Sequence, residues 1–238
     1  MTIRFYQHNA ESFFNATVNV DMTSLYRPFI AHLPPQGRVL DAGCGSGRDS
    51  RAFKALGFEV TAFDASSQMV ALAAEHTGLP VQQRRFEDVS ERDCYDGIWC
   101  CASLLHVPAS GLPEAMHRLG AALKPGGVWY ISFKYGCGER VKEGRHFTDL
   151  DEAGLAELLA TLPQLSALAV WQTRDKRPDR DEVWLNGLLQ RKKLTLIQAS
   201  CDRRKINFRT APLLASTFCE HNANDYAVLR YSDLLSQF

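Results

Sequence analysis

Between residues 38 and 134 of this 238-residue chain, short apolar runs alternate with helix-length segments, and that alternation restricts the fold more than any other feature. "RVLDA" (38–42), "EVTAFD" (59–64), "VQQRR" (81–85), "YDGIWCCA" (95–102) and "VWYISFK" (128–134) read as strands. Residues 48–56, 66–76 and 110–123 read as helices, the first ended by Gly57 and the last by Pro125-Gly126-Gly127. Successive strands joined through helices must run the same way, because a parallel pair needs a crossover of about a dozen residues. The spacing predicts an α/β fold, a doubly wound parallel sheet covered on both faces.

The flanks extend this frame. Residues 8–15 and 19–32 are predicted as two amphipathic helices stopped by Pro34-Pro35, which makes 1–34 an N-terminal helical cap. After a loop at 135–149, a helix at 151–161 precedes "LSALAVW" (165–171) and "EVWLNGLL" (182–189). The polar link between these two runs is too short for a crossover helix, so they are expected as an antiparallel hairpin at the sheet edge. The domain over 35–190 then holds a seven-stranded, mostly parallel sheet. Residues 191–238 read as a C-terminal extension: a basic connector "DRRKINFR" (202–209), a helix at 212–221 and a segment "YAVLRY" (226–231).

Lys plus Arg and Asp plus Glu each number 27, so overall charge points to no polyanionic or polycationic partner. Only residues 171–210 carry a local excess, 11 basic against 5 acidic side chains, and this is the sole support for nucleic acid as a partner. The seven cysteines are odd in number and show no C-x-x-C spacing, which argues against a metal site or a disulfide framework and for a reduced, cytoplasmic setting. No run approaches the roughly 18 apolar residues of a membrane span.

The turn between the first strand and its helix is "VLDAGCGSGRDS" (39–50). A loop in that position directs backbone N–H groups and a helix N-terminus toward a ligand above the strand end. The dinucleotide pattern G-x-G-x-x-G fails here, because Arg48 stands where its third glycine belongs, and no Gly-Lys-Ser/Thr follows as in a phosphate loop. What remains is Gly43, Gly45 and Gly47 in G-x-G-x-G, preceded by Asp41.

"VLDAGCGSG" resembles motif I of class I S-adenosylmethionine-dependent methyltransferases, in a small-molecule or tellurite-resistance-like branch. The resemblance covers roughly residues 35–190 and implies S-adenosylmethionine as cofactor. It makes Asp41 the support of the loop and of the methionine amino group, and sets the glycines along the methionyl and ribose parts. Asp64 takes the place of the acid that accepts both ribose hydroxyls, with helix N-capping as its alternative role. "FEDV" (86–89) resembles the adenine-contact segment, with Glu87 or Asp88 near the exocyclic amine. Cys44, Ala65, Met69 and Ala102 complete the implied binding set, and Tyr6 is the contact expected from an N-terminal lid.

His106, at the carboxyl end of the fourth strand, is the candidate proton acceptor, with a packed histidine as the plainer reading. Lys134, Tyr135, Arg145 and His146 in the loop after the fifth strand suit a polar or anionic substrate. The fourth strand ends in "CCASLLHVP" and not in an Asn/Asp-Pro-Pro-Tyr motif, which favours a small-molecule acceptor. The expected function is therefore methyl transfer from S-adenosylmethionine to a small molecule. A tRNA methyltransferase and a non-catalytic S-adenosylmethionine-binding protein are the alternatives, and a dehydrogenase is the third.

Overall fold

The computed structural model describes residues 1–177 and 180–193; the expected connector, helix and segment at 202–231 lie outside them. Five strands run parallel: β1 (Arg38–Ala42), β2 (Glu59–Asp64), β3 (Gln82–Gln83), β4 (Tyr95–Cys100) and β5 (Leu123–Lys134). The hairpin predicted at the edge is present. It consists of β8 (Leu165–Arg174) and β9 (Val183–Arg191), with β9 antiparallel to both β5 and β8. The sheet order is β3-β2-β1-β4-β5-β9-β8, so the winding reverses between β1 and β4 and opens a crevice at their carboxyl ends.

Helices α4 (Arg48–Ala55), α5 (Ser67–Thr77) and α6 (Leu112–Ala122) link the parallel strands, and α7 (Glu152–Ala160) precedes β8. The central strands are apolar on both faces because both faces are covered: Val39, Leu40, Ile98 and Trp99 are all fully buried. One face packs α6 through Met116 and Leu119, and the other packs Phe29 and Phe53 against Trp99. Trp99 stacks on Tyr130 with ring centroids 3.8 Å apart. No helix among the described residues is long and apolar enough to cross a membrane.

Two expectations change. The N-terminal region forms three helices, α1 (Thr2–His8), α2 (Ala10–Thr17) and α3 (Thr23–Ile30), because Asn9 leaves helical geometry at φ −116° and ψ 21°. The expected loop at 135–149 is a second small sheet, β6 (Gly138–Lys142) paired with β7 (Arg145–Asp149). Its two-residue turn, Glu143-Gly144, has positive φ at both positions, the geometry that matches the twist of a hairpin.

Gly97 in β4 sets how closely α3 can approach. A Cβ there would lie 2.6 Å from Phe29 Cζ and 2.7 Å from Leu33 Cδ2. Gly97→Ala should therefore lower stability by about 1–3 kcal/mol, the cost of overpacking a filled core, and urea denaturation followed by Trp fluorescence will read it.

Candidate functional site

At the carboxyl ends of β1, β2, β4 and β5 lies a cavity of about 580 Å³. Its floor is the glycine loop, in which Gly43, Gly45 and Gly47 all have positive φ. A Cβ on Gly43 would meet Ser103 Cβ at 2.6 Å, whereas beside Gly45 the nearest atom is Phe13 Cε1 at 3.4 Å. Four of the loop amides expected to point outward are used internally. Gly43 and Cys44 both donate to Phe63 C=O at 2.9 Å, Gly47 donates to Cys44 C=O, and Gly45 donates to Asp64 Oδ2 at 3.0 Å. With these donors used internally, the loop is a poor cradle for a pyrophosphate.

Asp64 ends β2 on the cavity wall. Its Oδ1 takes the Ser66 N–H at 2.9 Å and its Oδ2 the Gly45 N–H at 3.0 Å. Burial pushes its carboxyl above the ordinary range, and these two N–H groups, with that of Ala65, oppose the rise. Ser66 takes over the capping role, accepting from Met69 N–H at the start of α5.

Beneath the loop sits a charge network that the sequence reading missed. The Asp49 carboxylate receives Arg48 Nε at 2.6 Å, an Arg48 terminal nitrogen at 2.9 Å, Tyr26 O–H at 2.6 Å and Trp99 Nε1–H at 2.8 Å. Burial raises the Asp49 carboxyl, but the guanidinium and these donors outweigh it and hold it below its ordinary value. Asp41 lies behind the wall, accepting Ser50 Oγ–H at 2.5 Å. Burial, reinforced by the Asp49 charge, holds its carboxyl above the usual range.

Beyond β4 the backbone is strained, with Ala102 at φ 53°, a left-handed conformation that alanine seldom adopts. It is held by its N–H to Ser132 Oγ at 2.8 Å and by the neighbouring Ser103 Oγ–H to Ala42 C=O at 2.7 Å. His106 follows in a short 3-10 turn. Its Nδ1 lies 2.7 Å from His146 C=O, which requires a proton there, so Nε2 accepts the Tyr6 O–H at 2.8 Å. Burial pushes the imidazole down to about 4 and the Tyr6 phenol up to about 12. His146 N–H donates to Thr2 Oγ1 at 2.9 Å, so α1, β7 and the end of β4 close together over the cavity.

Of the residues singled out from sequence, Tyr6, Gly43, Cys44, Gly45, Asp64, Ala65, Met69, Glu87, Ala102 and His106 line one cavity. Asp41, Gly47 and Asp88 are not on its wall: Asp88 Oδ2 accepts Arg85 N–H at 2.9 Å, and Gly47 fits against Ala73 and Thr77. Lys134, Arg145 and His146 also line it, while Tyr135 is 41% exposed and points elsewhere. Phe86, in the segment expected at the adenine, lines it as well, and sequence reasoning missed Asp49 and Ser103. The only local signal was an Arg-Asp pair opening α4.

Asp49→Asn strands the Arg48 guanidinium without its countercharge and should cost about 3–5 kcal/mol, measured by urea denaturation. Unfolded His106 takes up a proton near its ordinary 6.5, whereas the folded imidazole resists to about 4. Stability should thus fall as pH drops through that window, by about 3 kcal/mol. His106→Gln, compared with the parent by denaturation at successive pH values, should remove that increment.

Residues 39–127 match the family described as "Methyltransferase domain". The ubiquinone biosynthesis O-methyltransferase of Xanthomonas axonopodis pv. citri (strain 306) is 39% identical over 111 residues, which are 43% of this chain and 45% of that protein. The chain thus matches less than half the length of this relative. Among solved structures, the 1,6-didemethyltoxoflavin-N1-methyltransferase of Burkholderia thailandensis, with bound 1,6-didemethyltoxoflavin and S-adenosylhomocysteine, superposes with a TM-score of 0.66. It is 24% identical and covers 80% of this chain and 85% of its own. The N-methyltransferase NodS of Bradyrhizobium japonicum WM9, in complex with S-adenosylhomocysteine, gives 0.61 at 15% identity, over 78% and 97%. Over residues 39–127 the chain matches a methyltransferase-domain family, set within the seven-stranded α/β fold shared with these methyltransferases.

Proposed function

We propose that the chain is an S-adenosylmethionine-dependent methyltransferase with a small-molecule acceptor. The observation that carries this reading is one cavity lined at one end by the glycine loop, Asp64 and Glu87 and at the other by Tyr6 and His106. The wall fits the donor: a glycine at position 45 whose nearest neighbour is Phe13 Cε1 at 3.4 Å, the Asp64 carboxylate on the cavity wall, four loop amides already used internally, and a volume within the roughly 300–1,000 Å³ range of ligand sites. Enclosure by α1 and the β6–β7 hairpin favours a small acceptor over RNA. In domain terms, 1–34 serves as the cap, 35–190 as the catalytic domain and 191–238 as an appended segment.

S-adenosylmethionine, when bound, supplies a methyl group on a sulfonium, open to displacement by an acceptor lone pair. The chain's task is alignment and exclusion of water. Asp64 would take the ribose hydroxyls, and Glu87 would meet the adenine amine. Cys44, Ala65, Met69 and Ala102 shape the wall, while Asp41, Gly47 and Asp88 act from behind it by fixing the loop, the α4–α5 contact and the turn before β4. As its new bond to the methyl group makes the acceptor O–H or N–H acidic, it would pass its proton to the Tyr6 oxygen while Tyr6 passes its own to His106 Nε2, which burial keeps neutral and free to accept, leaving imidazolium and a neutral phenol.

Incubation with methyl-labelled S-adenosylmethionine, a metabolite extract and bulk tRNA tests the reading, with label expected in the metabolite fraction. Label in tRNA would move the acceptor to RNA, and S-adenosylhomocysteine binding without any transfer would make the chain a binding protein. Asp64→Ala should weaken S-adenosylhomocysteine binding by about 1.5–3 kcal/mol, as hydrogen bonds to a charged group do; an unchanged calorimetric constant would put the ribose elsewhere.

A further inference from the structure

Resting on that reading, we propose that the acceptor carries an anionic group, a carboxylate or a phosphate, and that Arg145 holds it beside the Tyr6–His106 pair. Arg145 opens β7 directly after the Glu143-Gly144 turn, and its side chain is only 16% exposed. Its Cζ lies 4.2 Å from the Phe5 ring centroid and 5.3 Å from that of Phe147, so two rings fix the plane of the guanidinium. One terminal nitrogen is held by Glu143 at 2.5 Å, but Nε is buried with no hydrogen-bond partner. A buried charged N–H without an acceptor is costly and calls for one. The guanidinium adjoins the Tyr6 hydroxyl on the cavity wall.

The surrounding charge agrees. From position 130 onward the cavity lining includes seven Lys or Arg side chains against two carboxylates, Asp175 and Glu182. Both carboxylates are already engaged. Asp175 takes Arg177 at 2.9 and 2.6 Å, and Glu182 takes Lys134, with its second oxygen, which has no hydrogen-bond partner, 3.8 Å from Arg177. Lys134 and Arg177 are thereby paired with carboxylates of the wall, whereas Arg145 pairs through one terminal nitrogen with Glu143, which is 58% exposed and lies off the wall. Exposed Arg174 and Arg180 at the rim add a field that draws an anion inward. Arg145 offers the planar fork that matches a carboxylate or phosphate oxygen pair. These cations line a cavity roofed by α1, which favours a small anion over a polynucleotide.

Calorimetry on the full chain saturated with S-adenosylhomocysteine tests this, using benzoate and phenyl phosphate against their neutral counterparts benzamide and benzyl alcohol. At least one anion should bind about tenfold more tightly than its neutral counterpart. Arg145→Gln should reduce that preference to within about threefold, and Arg145→Lys should retain part of it. The melting transition and S-adenosylhomocysteine affinity of each variant report whether it is folded, and if neither folds, the probe preference of the parent protein decides. Equal binding of charged and neutral probes, or no binding of either anion at millimolar concentration, overturns the proposal. So does Arg145-dependent binding of bulk tRNA where neither small anion binds. If S-adenosylhomocysteine does not bind yet the anions keep their Arg145-dependent preference, the donor reading falls and the anion site stands.

Discussion

The Asp49 carboxylate takes four hydrogen bonds where little water reaches, from Arg48 twice, from Tyr26 and from Trp99. Those donors come from α3, from the first turn of α4 and from the middle of β4, so one side chain ties the cap, the glycine loop and the sheet centre together. Arg48 extends the joint to Thr17 C=O at the end of α2, at 3.4 Å. Such a buried pair adds little net stability, because removing its charges from water offsets most of their attraction. Its contribution is positional: with the carboxylate saturated, the loop above it has one way to sit. Burial, with the Asp49 charge added to it, presses the neighbouring Asp41 toward its neutral form, which relieves repulsion between the two carboxylates beneath the loop.

The parallel sheet was legible because its central strands, β1, β4 and β5, are apolar for the same reason they are central, being covered from both sides. The small hairpin was not. "ERVK" and "RHFTD" lack an apolar alternation, Val141 is 62% exposed, and only Phe147 turns inward among the buried aromatics. The hairpin is held instead by contacts that exist only after folding, such as Thr148 Oγ1–H to Val107 C=O at 2.7 Å and Arg140 to Asp149 at 2.6 Å. Glu143-Gly144 was its one local signal. The start of α1 was misjudged for the same reason, since residues 2–8 are ordered by Arg145, His146 and His106 and not by any periodicity of their own.

Within the candidate site, spacing disclosed the residues that act through position along a strand: the glycines, Asp64, Glu87 and His106 at successive strand ends. It overreached where a residue of the right type sits behind the wall, as Asp41, Gly47 and Asp88 do. It was silent where the partner is remote. Tyr6 and His106 are 100 positions apart, and nothing in either neighbourhood announces a bond between them. The same holds for Arg145, whose unpartnered nitrogen is defined by what the fold withholds from it.

One consequence of the α1 geometry is practical. Met1, Thr2 and Ile3 are themselves part of the cavity wall, and Thr2 anchors β7. Any segment joined ahead of them, whether a purification tag or a fusion partner, therefore starts at the wall of the candidate cavity.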